Sequence, residues 1–240
     1  MEKENIDILA FGPHPDDVEF GCGGLLRKAA KQGKKTGIID MTQAELSTNG
    51  DIVTRRKEAE KSKEILCADI RLNLEIKDGQ VLSTKENRDK VIRVIRRYDP
   101  SMVLMPYDFC RHPDHENAGK IIKDAIFFSG LEKYKLDDTV PTRPQYLLQY
   151  MLWFDFKPSV IFDISKEWDE KIKALFSYQS QFKMAEGQKE TADTRESTQR
   201  MWAARARHYG FMIGAEYGEP YKSFQPIGLD RPFDLRPNYF

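Results

Sequence analysis

Short apolar segments alternate with helical ones along the first half of the chain, and this alternation constrains the fold more than any other feature. The predicted strands cover 6–12, 36–41, 71–76 and 102–107. The predicted helices cover 24–32, 55–66, 91–98 and 115–129. Because strand–helix–strand units place their strands in parallel, the alternation predicts an α/β fold with a mostly parallel sheet and helices on both faces.

The pattern changes after Pro141. Here the sequence predicts strands over 146–154 and 160–164, helices over 168–182 and 200–213, and a polar surface loop over 183–195. The tail 217–240 is rich in Pro, Gly and aromatic residues, and we expect it to wrap as an ordered strap or to form an oligomer contact. No repeat or composition break divides the chain. We therefore expect one domain over 1–240, with its core at about 5–217 and a tail at 218–240.

Composition excludes several classes of partner. Lysine plus arginine and aspartate plus glutamate number 38 each, so no net field attracts nucleic acid or an anionic membrane. No apolar run of twenty residues is present, which predicts no membrane helix. Cys22, Cys67 and Cys110 are odd in number and widely spaced, which is typical of a reducing compartment. We therefore expect a cytoplasmic protein.

Two similar polar motifs follow two of the predicted strands. The first is His14-Pro-Asp-Asp, after strand 6–12, and the second is His112-Pro-Asp-His, after strand 102–107. Three of the four histidines of the chain lie in these motifs. Ligands of open α/β sheets bind outside the carboxyl ends of the strands. If the two strands are neighbours, the motifs meet at that edge.

The residue types in the two motifs suit metal-dependent hydrolysis. The predicted ligands are His14, Asp17 and His115, because two imidazoles and a carboxylate leave a fourth position of a catalytic zinc to water. Such an ion lowers the pKa of its water from about 15.7 to roughly 7. Asp16 is the candidate general base, and His112 the candidate hydrogen-bond donor to the oxyanion. Asp114 is expected to hold the His112 ring and to favour its protonated form.

Other interpretations of the same residues stay open. Two histidines and one carboxylate are also the ligands of Fe(II) oxygenases. The carboxylates of Asp16 and Asp17 also suit the positive end of a helix dipole. Cys110 is either a soft ligand or a small apolar core residue. A dinucleotide site at Gly21–Gly24 is disfavoured, because no complete phosphate-binding motif follows.

These motifs resemble those of a known family, the PIG-L/LmbE-like zinc-dependent N-acetylglucosaminyl deacetylases. The likeness also covers 45–50 and the helix start 55–59, and it continues more weakly to about Tyr217. The chain is most similar to bacterial deacetylases of the bacillithiol-biosynthesis type, which act on a glucosamine–malate precursor. It departs from the family at Pro13, where many relatives carry Ala, and in the tail after Asp230.

The resemblance implies the same zinc ligands, general base and oxyanion group that the residues themselves suggest. It adds two substrate-binding residues, because Arg55 matches a family arginine that contacts the substrate and Arg111 lies in the neighbouring loop. It also implies a Rossmann-like fold with extra C-terminal strands and helices. Since family members are often hexamers, we expect a homo-oligomer, a hexamer or a trimer.

The leading hypothesis is therefore zinc-dependent hydrolytic N-deacetylation of an N-acetylglucosamine conjugate, with N-acetylglucosaminyl malate as the candidate substrate. Zinc is favoured over iron or cobalt only by the resemblance, because the ligand set accepts all three. Two alternatives remain: a non-catalytic sugar-binding module that contains a metal, and an Fe(II) oxygenase that uses the same triad.

Overall fold

The structure is a computed structural model that describes residues 4–228. Its elements in chain order are β1 (Ile8–Gly12), α1 (Asp17–Lys31), β2 (Thr36–Asp40), α2 (Ile52–Leu66), β3 (Ile70–Asn73), α3 (Lys85–Tyr98), β4 (Met102–Pro106), α4 (Pro113–Ser129), β5 (Tyr146–Tyr150), β6 (Val160–Asp163), α5 (Trp168–Leu175), α6 (Gln179–Phe182), α7 (Glu196–Phe211) and β7 (Gly218–Ser223).

The strands form one seven-stranded sheet in the order β3-β2-β1-β4-β5-β7-β6. The first five strands of the chain pair in parallel, and β7 runs antiparallel to both β5 and β6. The predicted α/β class with a mostly parallel sheet is therefore confirmed. Strands β1 and β4 are direct neighbours, so the segments that follow them begin at the same edge of the sheet.

Alternate side chains of β1 enter two separate cores. Leu9 and Phe11 pack with apolar residues of α3 and α4. Ile8 and Ala10 pack on the other face with residues of α1, α2 and α5. Because successive strand residues point to opposite faces, a strand that is apolar throughout is buried on both sides. This arrangement is the one predicted, with helices on both faces.

Helix α1 begins at Asp17, and the prediction that it begins at Gly24 is wrong. Gly21 and Gly24 lie inside the helix, where the absence of a side chain allows close approach of neighbouring residues. A Cβ atom at Gly21 would overlap the ring of Tyr150. The carboxylate of Glu219 accepts hydrogen bonds from the backbone N–H groups of Gly24 (2.9 Å) and Leu25 (2.8 Å).

The predicted single helix over 168–182 is wrong, because the chain breaks it into α5 and α6. The break turns Tyr178 into the core, where its hydroxyl donates to Glu19 at 2.9 Å. Strand β5 ends at Tyr150 rather than at 154, because its partner strand β4 ends opposite, at Pro106.

The expected strap at 217–240 contains a sheet strand, since residues 218–223 form β7 between β5 and β6. The part of the expected strap at 229–240 lies outside the described residues.

Candidate metal centre

The two histidine motifs meet at the carboxyl edge of the sheet. His14 and Asp16 follow β1, and Asp17 is the first residue of α1. His112 is the N-cap of α4, and His115 lies in its first turn. The ring centroids of His14 and His115 are 5.5 Å apart.

One donor atom from each of His14, Asp17 and His115 lies within 4.8 Å of the others. Nδ1 of His14 is 3.2 Å from Oδ2 of Asp17, and Nε2 of His115 is 3.4 Å from Oδ1 of Asp17. Two ligands that bind zinc at about 2.0–2.1 Å in tetrahedral geometry lie roughly 3.3 Å apart. The two N–O distances are close to this value, although each ends on a different oxygen of Asp17, and the three side chains are therefore near enough to share one zinc ion. His14, His112 and Asp114 form a second group of similar spacing.

The protonation of these groups follows from burial and mutual contact. Burial lowers the pKa of His115 to about 4, which leaves a neutral imidazole. Burial also lowers the pKa of His14, but hydrogen bonds to Asp114, Asp17 and Asp78 outweigh that effect and hold it well above its ordinary value. Burial raises the pKa of Asp17, yet the neighbouring His115 and His14 bring it below its ordinary value.

Asp78 is a site residue that the sequence did not reveal. Its Oδ1 lies 3.1 Å from Nε2 of His14, and its Oδ2 accepts a hydrogen bond from the backbone N–H of Leu46 at 3.0 Å. A carboxylate behind a metal-binding imidazole is a common arrangement, because it fixes the ring and its tautomer. The only signal was the turn Lys77-Asp78-Gly79, whose composition is typical of any loop.

Asp114 makes different contacts from those expected. Its carboxylate accepts hydrogen bonds from the backbone N–H groups of Gly79 (2.7 Å) and Val81 (3.3 Å), and Oδ2 lies 3.6 Å from Nε2 of His14. The backbone N–H of Asp114, not its carboxylate, contacts His112, and it donates to Nδ1 at 3.2 Å. The cause is helix capping, because an N-cap side chain accepts from the first turn.

Asp16 lies beside the donor set in a left-handed backbone conformation, with φ 118°. Its Oδ2 is 3.1 Å from Nη2 of Arg55. Burial raises its pKa, the charge of Arg55 lowers it and that of Asp17 raises it, and the result is a pKa of about 7. The two motifs thus bring together a metal-binding set and an additional carboxylate.

Arg55 is buried, with 2% of its surface exposed. Its Nη2 also donates to the carbonyl oxygen of Pro15, and its guanidinium lies over the ring of Tyr178, 5.2 Å from the centroid. Nε and Nη1 of Arg55 are buried and have no hydrogen-bond partner.

The candidate site opens into a cleft of about 550 Å³. Arg111 lines this cleft, and its guanidinium lies 3.5 Å from the ring centroid of Trp153. The segment predicted as a surface loop, 183–195, contributes Asp193 to the wall. The side chain of Asn49 links that loop to the loop before α2, because its Nδ2 donates to the carbonyl of Lys189 at 2.8 Å and its Oδ1 accepts from the N–H of the same residue at 3.0 Å.

Known proteins share both the sequence and the fold of this chain. Residues 9–126 match the family described as PIG-L, GlcNAc-PI de-N-acetylase. The diacetylchitobiose deacetylase of Thermococcus kodakarensis is 30% identical over 223 residues, which cover 88% of this chain and 80% of that protein. The chain belongs to the PIG-L family.

Two further comparisons agree with PIG-L membership. A probable N-acetyl-alpha-D-glucosaminyl L-malate deacetylase 2 of Bacillus cereus is 26% identical over 192 residues, which cover 72% of this chain and 83% of that protein. The crystal structure of a conserved protein of Thermus thermophilus superposes with a TM-score of 0.87 and 34% identity, and the match covers 95% of this chain and 98% of that one.

The predicted family and enzyme class are therefore confirmed, and this PIG-L member is an N-deacetylating hydrolase. Within residues 4–228, no helix is both long and apolar enough to cross a membrane.

Proposed function

We propose that the protein hydrolyses the N-acetyl group of an N-acetylglucosamine conjugate and that His14, Asp17 and His115 bind zinc. The observation that carries the proposal is the donor spacing of 3.2 and 3.4 Å around Asp17. Iron(II) and cobalt(II) accept the same donors, and the family likeness is what favours zinc. When bound, the ion supplies an activated water and polarises the acetamide carbonyl.

Asp16 acts as the general base in this proposal. Its carboxylate follows His14 by two residues and precedes Asp17, and the ion pair with Arg55 fixes its position. As water adds to the carbonyl carbon, a C–O bond forms and Asp16 accepts the proton of the water. When the C–N bond breaks, Asp16 returns this proton to the departing nitrogen. The products are acetate and the free amino sugar.

His112 stabilises the negative charge that develops on the carbonyl oxygen. Its Nδ1 accepts the backbone N–H of Asp114, so the neutral ring carries its proton on Nε2. Burial, followed by the charge of His14, lowers the pKa of His112, which supports a neutral ring in place of the protonated form suggested by the sequence. A fixed N–H donor at an oxyanion contributes about 10²–10³-fold to the rate.

Asp114 has a positioning role in this proposal, because its Oδ2 lies 3.6 Å from Nε2 of His14. Arg55 lines the cleft beside Asp16, and in this proposal it contacts the substrate there, as the matching family arginine does. Arg111 binds the distal part of the substrate from the cleft wall, where Trp153 holds its guanidinium.

Two chemical classes of aglycone are candidates. The malate conjugate follows from the bacillithiol-type resemblance and from the B. cereus relative. A neutral saccharide, as in the name of the T. kodakarensis relative, is favoured by the charges of the cleft. Apart from the histidines, the cations among its described lining residues are Arg55 and Arg111. Each already interacts with a carboxylate, Arg55 with Asp16 and Arg111 with Asp193. A dianionic malate would therefore find neither arginine free of an opposing carboxylate.

The decisive experiment measures acetate release from a panel of N-acetylated sugars by the purified chain, together with its metal content. The panel contains N-acetylglucosamine, N,N'-diacetylchitobiose and N-acetylglucosaminyl malate. We expect release that stops on chelation and returns with zinc. Substrate binding without acetate release would indicate a sugar-binding module. Oxygen consumption with Fe(II) in place of acetate release would indicate an oxygenase.

A homo-oligomer, a hexamer or a trimer, and a cytoplasmic location remain part of the proposal. Light scattering coupled to size-exclusion chromatography tests the first, and cell fractionation tests the second. A monodisperse monomer at micromolar concentration would contradict the predicted oligomer.

A further inference from the structure

One buried cysteine lies directly behind a candidate metal ligand. The Sγ atom of Cys110 is 3.2 Å from Nδ1 of His115. The other ring nitrogen, Nε2, lies 3.4 Å from Oδ1 of Asp17 and thus faces the donor set. The thiol and the carboxylate of Asp17 therefore contact the two opposite nitrogens of one imidazole ring.

The other histidine of the donor set has a different partner at the equivalent place. His14 faces Asp17 with Nδ1, and behind it Nε2 contacts the carboxylates of Asp78 and Asp114. Each imidazole thus has a hydrogen-bond partner on the nitrogen that faces away from Asp17. His14 has carboxylates there, whereas His115 has a thiol.

The sulfur is not itself placed to bind the ion. Among the described residues, Cys110 belongs to neither group whose donor atoms lie within 4.8 Å of one another. Its side chain belongs instead to the apolar cluster that also contains Leu104 and Leu152. This location excludes the interpretation of Cys110 as a soft metal ligand, which the sequence left open. The contact with His115 also gives the thiol a second role besides apolar packing.

The backbone holds the thiol in place. The N–H of Cys110 donates to Oε1 of Glu116 at 3.1 Å, and Glu116 lies in the first turn of α4 next to His115. Only 7% of the Cys110 surface is exposed. The sulfur and the imidazole are therefore held by the same helix turn.

We propose that Cys110 is a positioning residue for the metal site. Its sulfur accepts the Nδ1–H of His115, which fixes the ring orientation and leaves the Nε2 lone pair for the metal. The proposal rests on the metal site of the proposed function, but not on the substrate or on the hydrolytic step. Loss of such an outer partner commonly weakens metal binding by about 10–100-fold.

Three variants of the 240-residue chain test the role. Cys110→Ala removes the acceptor, and Cys110→Ser replaces it with a shorter, stronger acceptor. Cys22→Ala is the matched control. Cys22 is also a buried free cysteine, but it lies in α1 and packs in the apolar core. Zinc affinity is measured by competition with a chromophoric chelator at fixed pH. The d–d absorption of the cobalt(II) form reports the ligand geometry independently of activity.

We expect Cys110→Ala to weaken zinc binding by about 10–100-fold and to change the cobalt spectrum. Cys110→Ser should recover most of the affinity, and Cys22→Ala should bind zinc as the natural chain does. Thermal unfolding of the metal-free variants separates packing from positioning, because both alanine variants lose a buried thiol. Equal zinc affinities and identical cobalt spectra for Cys110→Ala and Cys22→Ala would overturn the proposal.

Failure of the proposed function gives a different result. If the natural chain binds zinc and Cys110→Ala weakens that binding, but no acetate is released from any sugar, the proposed function fails and the positioning role stands. If acetate release requires zinc but Cys110→Ala leaves the affinity unchanged, only the positioning role fails.

Discussion

Replacing Asp16 by Asn tests the proposed general base with little structural change. Asn has nearly the same volume and tolerates the positive φ of 118° at this position. Its amide oxygen still accepts a hydrogen bond from Arg55, which lies 3.1 Å from the native carboxylate. The variant therefore loses a charge and a proton acceptor but not the contact.

The substitution should have a large effect on the reaction rate and a small effect on the stability of the fold. A positioned general base contributes about 10²–10⁴-fold to the rate. Since a tenfold change in rate is about 1.36 kcal/mol, the barrier should rise by roughly 3–5 kcal/mol. The side chain of Asp16 is 20% exposed, so solvent partly screens its ion pair. Because the pKa of Asp16 is raised to about 7, the fold disfavours its charged form, and the neutral isostere should change the Tm by less than about 2 °C.

The assay is acetate release at saturating substrate, with zinc content measured on the same sample. Asp16→Ala serves as the comparison, because it also lacks the general base. Unlike the Asn variant, it removes the side-chain oxygen that accepts a hydrogen bond from Arg55. Both variants should lose activity to the same extent, and the alanine variant should be the less stable. Activity above a tenth of the natural value in Asp16→Asn would refute the base assignment. Loss of zinc together with activity would make Asp16 a ligand instead.

Three further changes test the packing around the site. Gly21→Ala should lower the free energy of unfolding by about 1–3 kcal/mol or more, because the added Cβ overlaps the ring of Tyr150 in β5. The control is Gly23→Ala, where the added Cβ has no neighbouring atom closer than 3.6 Å. Thermal unfolding should show this control to be as stable as the natural chain or slightly more stable. Glu219→Gln should cost about 3–5 kcal/mol in denaturant unfolding because it leaves the buried Lys171 ammonium without its anion, and adding Lys171→Met should restore part of that loss. Asn49→Ala should raise KM several-fold with little change in kcat and speed hydrogen exchange in 183–195, and unchanged exchange there would contradict its role as a link between loops.

Prediction from the sequence succeeded where the residues of a single segment are enough to indicate its structure. Strand β1 is apolar and ends at a glycine and a proline, so both the strand and the polar residues that follow it were recognisable. The parallel pairing of β1 with β4 then brings His14 and His115 together without further information. The part of the fold that positions the site follows from local patterns and general rules of topology.

The features that were missed depend on contacts between distant segments. Glycines usually mark loops, yet those of α1 lie within a helix because Tyr150 and Glu219, more than 120 residues later, occupy the space next to them. The side chains of Asp78 and Cys110 contact the donor histidines from loops that have no periodic pattern. Local propensity cannot report such tertiary contacts.

The contact between Glu219 and helix α1 also affects the order in which the molecule matures during synthesis. The helix that begins with Asp17 receives two of its backbone hydrogen-bond acceptors from β7, near the other end of the described chain. A nascent polypeptide that has not yet emerged from the ribosome as far as Glu219 therefore lacks the acceptors for Gly24 and Leu25, in the helix that carries Asp17. Zinc capture should be a late event in biogenesis, well after the last of the candidate ligands has been translated.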